Sequence, residues 1–381
     1  MAVGRRVSKG LDEVSVGESS ISFVGGETGE LVYRGFDVRD LVPGVPYESI
    51  VHLLLHGEPP EADPSPEVVR SLRAAREVPA AIERVVDALA PGLPPLEALR
   101  TILSALGDGT YGYPPTLEQG YRLIARTPIL LARHVRRAQG LPPLRSRSDL
   151  SHAADYLYLL KGEKADPRHV RALDAYLGLL ADHGMNASTF ALRVAISTQS
   201  DLVSGATGAL GTLKGPLHGG APSRVSDMLD DVGTPDRAEA WVAGRLARHE
   251  VLFGFGHRVY KTDDPRGLVL HEIARTVASP ERFALAEAVE RAALAGLRAA
   301  RPGARLFTNV EFYTSVVLEG IGIPRELFTP TFAVARTVGW TAHALEQAAR
   351  NRLMRPDVDY VGPAKGRLWP RPRPRSGEAG T

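Results

Sequence analysis

The sequence contains no cysteine, which excludes disulfides and thiolate metal sites and fits a reducing compartment. Neither sign of charge is in excess: 46 lysines and arginines face 44 aspartates and glutamates, a net +2 over 381 residues. That balance argues against a dedicated nucleic-acid surface, so an anionic ligand has to be met by local groups. No run reaches the ~18 uninterrupted apolar residues of a membrane span, and the opening MAVGRRVSKGLDEV has no apolar core of signal-peptide length. The expectation is a soluble, cytoplasmic protein with neither nucleic acid nor membrane as partner. Lysine is scarce as well, with only Lys9, Lys161, Lys164, Lys214, Lys261 and Lys365 in the chain, so a lysine inside a polar loop carries information.

Strand signals are nearly absent too. Residues 20–34, SISFVGGETGELVYR, place two short β-prone runs around a glycine-rich turn and predict one hairpin. Nearly everything after it has helical spacing. PYESIVHLLLHGEPP aligns Ile50, Leu53 and Leu54 on one stripe and stops at Gly57. Residues 116–138, 167–183 and 235–252 read as helices, and Thr329 and Pro330 read as the N-cap and first-turn proline of a helix reaching about Arg350. The fold class is therefore mainly α, with well over ten helices. At 44% hydrophobic the chain exceeds the ~250 to 300 residues at which single cores stop growing, which predicts two lobes. SGATGALG (204–211) reads as close helix packing. The Pro/Arg alternation of residues 368–381 reads as a flexible tail.

Four polar stretches interrupt the helices. ADHGMNASTF sets His183 between a helix end and a new start capped by Asn186 or Ser188. LKGPLHGGAP surrounds His218 with helix breakers, the signature of a turn whose backbone N–H groups can meet a ligand. FGFGHRVYKTDDPRG offers His257, then Lys261 and Arg266, with Pro265 forcing Asp264 to extended geometry so that Arg266 opens a new segment. LFTNVEFYTS puts the carboxylate of Glu311 among apolar residues. Neutral histidines can donate hydrogen bonds to carbonyl oxygens as negative charge develops, and a carboxylate can take a proton from the adjacent carbon. Together these groups suit an aldol- or Claisen-type condensation. Arg266, Arg336 and Arg355 could grip a dicarboxylate in fork geometry. His52 and His56, spaced i and i+4 in HLLLH, lack a third ligand or adjacent glutamate in the sequence and read as helix-flank residues.

KGPLHGGAPSRV, GFGHRVYKTDDPRG, TNVEFY and FTPTFAVARTVGWTAHALEQ, in this order and with these separations, resemble the signature blocks of citrate synthase. The resemblance extends from ISFVGGETGELVYRG to MRPDVDYVGP, nearly the whole chain. It implies a two-domain α-helical homodimer in which residues 1–218 and 319–381 form a large domain. Residues 219–318 would form a smaller one that closes over the substrates. It also implies that His218 stabilises the enol of acetyl-CoA, that His257 polarises the ketone of oxaloacetate, and that His183, Arg266 and Arg336 bind oxaloacetate or citrate. Arg355 would reach in from the partner subunit, and Lys261 would contact CoA phosphates. No metal or other cofactor is implied, acetyl-CoA being a substrate. Two positions depart from the family pattern. Glu311 stands where the family usually has the catalytic aspartate, and Gly184 stands where an acidic residue is expected.

Three other functions fit parts of this pattern. 2-Methylcitrate synthase uses propionyl-CoA on the same fold, and one methylene is worth only ~1 to 3 kcal/mol of discrimination. The change at Glu311 could instead mark a protein that binds CoA esters or dicarboxylates with little turnover. A metal-dependent lyase on His183, His218, His257 and Glu311 is the remotest.

Overall fold

The computed structural model describes residues 8–11, 14–219, 222–257 and 259–363, so the expected 368–381 tail lies outside the described residues. The described residues fall into two units, one running from Ser19 to Leu353 and one made of the segments up to Glu18 and from Met354 onward. The first unit holds nearly all of the regular structure, sixteen α-helices and one small sheet among the described residues. The predicted hairpin is present: β1 (Ser22–Gly25) pairs antiparallel with β2 (Glu30–Tyr33), Ser22 facing Tyr33 and Gly25 facing Glu30. A third short strand, β3 (Phe36–Asp37), extends it beside β2. The period-2 pattern of β2 turns Leu31 and Tyr33 into the core. No helix among the described residues is long and apolar enough to cross a membrane.

The helices largely follow their sequence signals. Tyr47–His56 ends on Gly57 at φ +96°, and Leu117–Ala138 begins with a reciprocal cap between Thr116 and Gln119. Three boundaries differ from expectation. The helix from Pro167 stops at Leu179 rather than 183, because the next residues form the turn that presents His183. The 235–252 segment splits into a 3₁₀ turn, Pro235–Arg237, and the helix Ala238–Ala247. Thr329 is not a cap: the helix continues out of a preceding 3₁₀ turn and starts at Phe328, and the Thr329 hydroxyl donates to the Gly219 carbonyl at 2.9 Å.

That last helix, Phe328–Ala349, is the axis of the core. Every residue from Thr331 to Ala344 is buried, and the helix packs against Ala187–Ser197, Leu117–Ala138, Leu202–Leu213 and Tyr47–His56. A helix buried on all sides needs small residues where neighbouring backbones approach. Gly339 is such a point: its N–H donates to the Ala181 carbonyl at 3.0 Å, and a Cβ there would overlap that carbonyl and the Asp182 carboxylate. We predict that Gly339→Ala destabilises the chain by ~1 to 3 kcal/mol, read as a lowered urea midpoint with unchanged slope. An unchanged midpoint would mean that the Ala181–His183 turn is not pinned by this helix.

Candidate active site

His183 sits in the turn between the helices Pro167–Leu179 and Ala187–Ser197, the second of which is capped by Asn186 as expected. The hairpin holds this turn: the Tyr33 hydroxyl lies 2.9 Å from the carbonyls of both Leu179 and Asp182, and the Asp182 N–H donates back to it. The fully buried Asp182 accepts from the Ser22 hydroxyl and from the Gly184 N–H, and its Oδ1 is 3.3 Å from His343 Nε2. His343 Nδ1 accepts from Arg193, so the His343 proton is on Nε2 and faces Asp182. Arg193 also bonds Glu346 and Gln347, and Glu346 accepts the Ser20 N–H at the base of the hairpin. Burial would raise the Asp182 carboxyl, but His343, Arg336 and Ser22 outweigh it and hold it down at about 2. Gly184 has φ +56°, a left-handed conformation that glycine adopts without strain, which gives the departure at this position a local physical basis.

His218 lies in the turn after the helix Leu202–Leu213, where the His218 and Gly219 N–H groups both donate to the Gly215 carbonyl. Its Nε2 accepts the Ser188 N–H at 3.2 Å and lies 3.0 Å from the Ser188 hydroxyl, which also receives the Trp340 indole N–H. An acceptor at Nε2 puts the proton of the neutral ring on Nδ1.

His257 and Glu311 come together because their two loops pair. Phe255 forms a β-bridge with Thr308, Gly256 N–H donates to Phe307, and Asn309 N–H donates to Gly254. The Asn309 side chain completes the clasp on the Gly256 carbonyl and caps the helix Val310–Gly320, so that Glu311 stands in its first turn. His257 Nδ1 accepts the N–H groups of both Val259 and Tyr260 at 3.0 Å, which puts its proton on Nε2, the reverse of His218. Its ring meets His183 edge-on at 5.6 Å, and His183 Nε2 lies 3.1 Å from the Tyr260 hydroxyl. Asp264 caps the helix Pro265–Val277, grips Arg266 through Nε and Nη2 at 3.0 and 2.8 Å, and accepts the Val310 N–H at 3.2 Å.

Two arginines and two aspartates surround the histidines, Arg266 beside Asp264 and Arg336 within reach of Asp182. Burial first, and then the arginines, hold the histidines neutral: His218 and His257 fall to about 4 and His183 well below its ordinary value. Arg336 is 1% exposed, donates Nε–H to the Leu180 carbonyl at 2.9 Å, and leaves Nη2 buried without a partner among the described residues. Burial would lower Arg266, but Asp264 more than offsets it and holds that guanidinium above its ordinary value. Glu311 moves the other way. Burial raises it to about 7 against the pull of Arg266. A first-turn helix position favours a carboxylate by only ~0.3 to 1 kcal/mol, too little to reverse this.

Among the expected residues, His183 feels Arg266, Arg336, His257 and His218, while Glu311 feels Arg266. Lys261 is exposed on the His257 loop, where its N–H donates to Gly26 of the hairpin. Arg355 is exposed and belongs to the other unit. Sequence reasoning missed Asp182, Ser188, Tyr260, Asp264 and Trp340. The signal for Asp264 was available, since an acid directly before a proline is a helix start. Trp340, inside an apolar helix, offered none.

The raised Glu311 carboxyl carries a stability signature. Its folded value of about 7 exceeds the ordinary 4.5, so its contribution is greatest below about 4.5 and is lost as pH rises to about 7. We predict that Glu311→Gln leaves stability unchanged at pH 4 and raises it by ~1 to 3 kcal/mol at pH 8, measured by denaturant unfolding. A variant no more stable than the parent at pH 8 would show that this carboxylate is not desolvated.

Known proteins match this chain along nearly its full length. The family described as citrate synthase, C-terminal domain, matches residues 10–357. Citrate synthase of Deinococcus radiodurans is 38% identical, covering 93% of this chain and 96% of that protein. The 2-methylcitrate synthase of Shewanella oneidensis is 33% identical over 95% and 96%. The solved citrate synthase of Thermoplasma acidophilum, a ternary complex with carboxymethyl coenzyme A and oxaloacetate, superposes with a TM-score of 0.87 at 28% identity, covering 96% of this chain and 98% of its own. With the predicted helical fold in place and these matches spanning nearly the whole chain, the chain belongs to the citrate synthase family.

Proposed function

We propose that the chain condenses acetyl-CoA with oxaloacetate and water to give citrate and free CoA. What carries this reading is the pair of neutral histidines with opposed tautomers, Nδ1–H on His218 and Nε2–H on His257, each fixed by backbone N–H groups on its other nitrogen. Condensation needs two such donors, one for each carbonyl that gains charge. Glu311 takes a methyl proton from acetyl-CoA while His218 donates to the thioester oxygen, giving an enol. The enol carbon attacks the ketone of oxaloacetate and the enol O–H proton returns to His218, while His257 gives its proton to the new alkoxide and is reprotonated as Glu311 releases the methyl proton. Water then cleaves the citryl thioester and CoA leaves as the thiol. A carboxyl poised at about 7 is a stronger base than an ordinary glutamate yet is half ionised at neutral pH.

His183, Arg266 and Arg336 would hold the two carboxylates of oxaloacetate. The buried, unpartnered Nη2 of Arg336 supports this, because such a group favours an anionic ligand. Lys261, exposed on the same loop as His257, would meet CoA phosphates. The scheme requires no cofactor. We further propose that residues 219–318 move as a smaller domain and that the enzyme is a cytoplasmic homodimer in which Arg355 completes the neighbouring site. A second reading, propionyl-CoA as donor, is favoured by the similarity to 2-methylcitrate synthase. The test is release of CoA with oxaloacetate and each acyl-CoA in turn. Acetyl-CoA should give the higher kcat/KM; a higher value with propionyl-CoA would establish the second reading. His218→Ala should lose ~10²- to 10³-fold in kcat, and Glu311→Asp ~10²-fold through misplacement of the carboxylate. Glu311→Gln should be inactive, and parental turnover in it would remove Glu311 as the base. Absence of CoA release with either substrate would support a binding protein instead.

A further inference from the structure

His52 and His56 stand one turn apart on the helix Tyr47–His56, and the chemistry above uses neither. Their rings stack, with centroids 4.3 Å apart and planes 18° from parallel. The sequence offered this pair no third ligand, but the fold does. Glu67, in the first turn of the helix Pro66–Ala75, brings its Oε1 to 3.8 Å from His56 Nε2. One ligand atom from each of His52, His56 and Glu67 lies within 4.8 Å of the other two, the one such group among the described residues.

We propose that His52, His56 and Glu67 form a binding site for one divalent transition-metal ion of the Zn²⁺ type. A tetrahedral ion with bonds of ~2.1 Å sets its ligands about 3.4 Å apart. The His56–Glu67 separation is therefore a few tenths of an ångström too wide, well within the rotamer freedom of a glutamate side chain that is 52% exposed. His52 is oriented from behind: its Nδ1 lies 2.9 Å from the Ser65 hydroxyl. That hydroxyl accepts the Val68 N–H as the cap of the helix carrying Glu67, so one serine starts that helix and leaves His52 Nε2 as the metal-facing nitrogen. His56 Nε2 is 2.8 Å from the Tyr121 hydroxyl, whose proton would turn away as the ion binds, leaving Tyr121 beside the fourth position. Two imidazoles and one carboxylate select Zn²⁺, Co²⁺, Ni²⁺ or Cu²⁺ over Mg²⁺ and Ca²⁺. The bound ion would add a further tie between two helices already joined by the His52–Ser65 hydrogen bond.

The test is calorimetric titration of the full, chelator-stripped chain with ZnCl₂, alongside Co²⁺ absorption spectra and thermal unfolding. The parent should bind one Zn²⁺ per chain, give visible Co²⁺ bands of tetrahedral intensity, and melt at higher temperature with Zn²⁺ present. His52→Ala and His56→Ala should each weaken binding roughly tenfold or more, and Ser65→Ala should weaken it by a similar factor through loss of ring orientation. Mg²⁺ should produce no binding heat. CoA-release activity should be the same in His52→Ala as in the parent. No Zn²⁺ uptake by the parent, or uptake unaltered in the His52→Ala/His56→Ala double variant, would overturn the proposal.

Discussion

Asp264 is the carboxylate on which the site is built. At 1% exposure it accepts four N–H groups: the backbone and both arms of Arg266, and the backbone of Val310. One side chain therefore caps the helix from Pro265, satisfies an otherwise orphan N–H at the start of the Glu311 helix, and neutralises a buried guanidinium. Removing one partner of such a buried pair typically costs about 3 to 5 kcal/mol, because the other charge is left unpaired. Asp182 has the matching role on the hairpin side, where it ties Ser22, Gly184 and His343 together beneath His183.

Both acids are committed to protein donors, which leaves the histidines and Glu311 to answer chiefly to burial. Desolvation then decides every protonation state that matters, because burial is the leading influence on His183, His218, His257 and Glu311 alike. It drives the imidazoles to neutrality, where they serve as hydrogen-bond donors of fixed direction, and it drives the carboxylate toward stronger basicity. The same physical cause thus sets acid and base in opposite directions. One donor is left over, Arg336 Nη2, buried without a partner among the described residues. A dianionic ligand would pair it.

The helical fold was legible because helical spacing, capping residues and glycine stops act locally, as at Tyr47–His56 and Leu117–Ala138. Boundaries failed where tertiary contacts overrode local signals. The helix from Pro167 gives way early to the His183 turn that Tyr33 holds, and Thr329 bonds Gly219 across the fold instead of capping its own helix. The histidines and Glu311 could be picked out by the breakers and apolar residues around them. Their tautomers could not, since these depend on Ser188, Val259 and Tyr260 N–H groups whose positions only the folded chain defines. Nor could Glu67 be joined to His52 and His56, being eleven residues beyond the nearer histidine and on another helix.

The central claim is that two neutral imidazoles present opposite nitrogens to the substrates. The most direct measurement is ¹⁵N–¹H correlation NMR of the histidine rings in ligand-free protein at pH 6, assigned with His218→Ala and His257→Ala. The account predicts that both rings are neutral, with an unprotonated Nε2 on His218 and an unprotonated Nδ1 on His257. Charged rings at that pH, or the same tautomer in both, would contradict it.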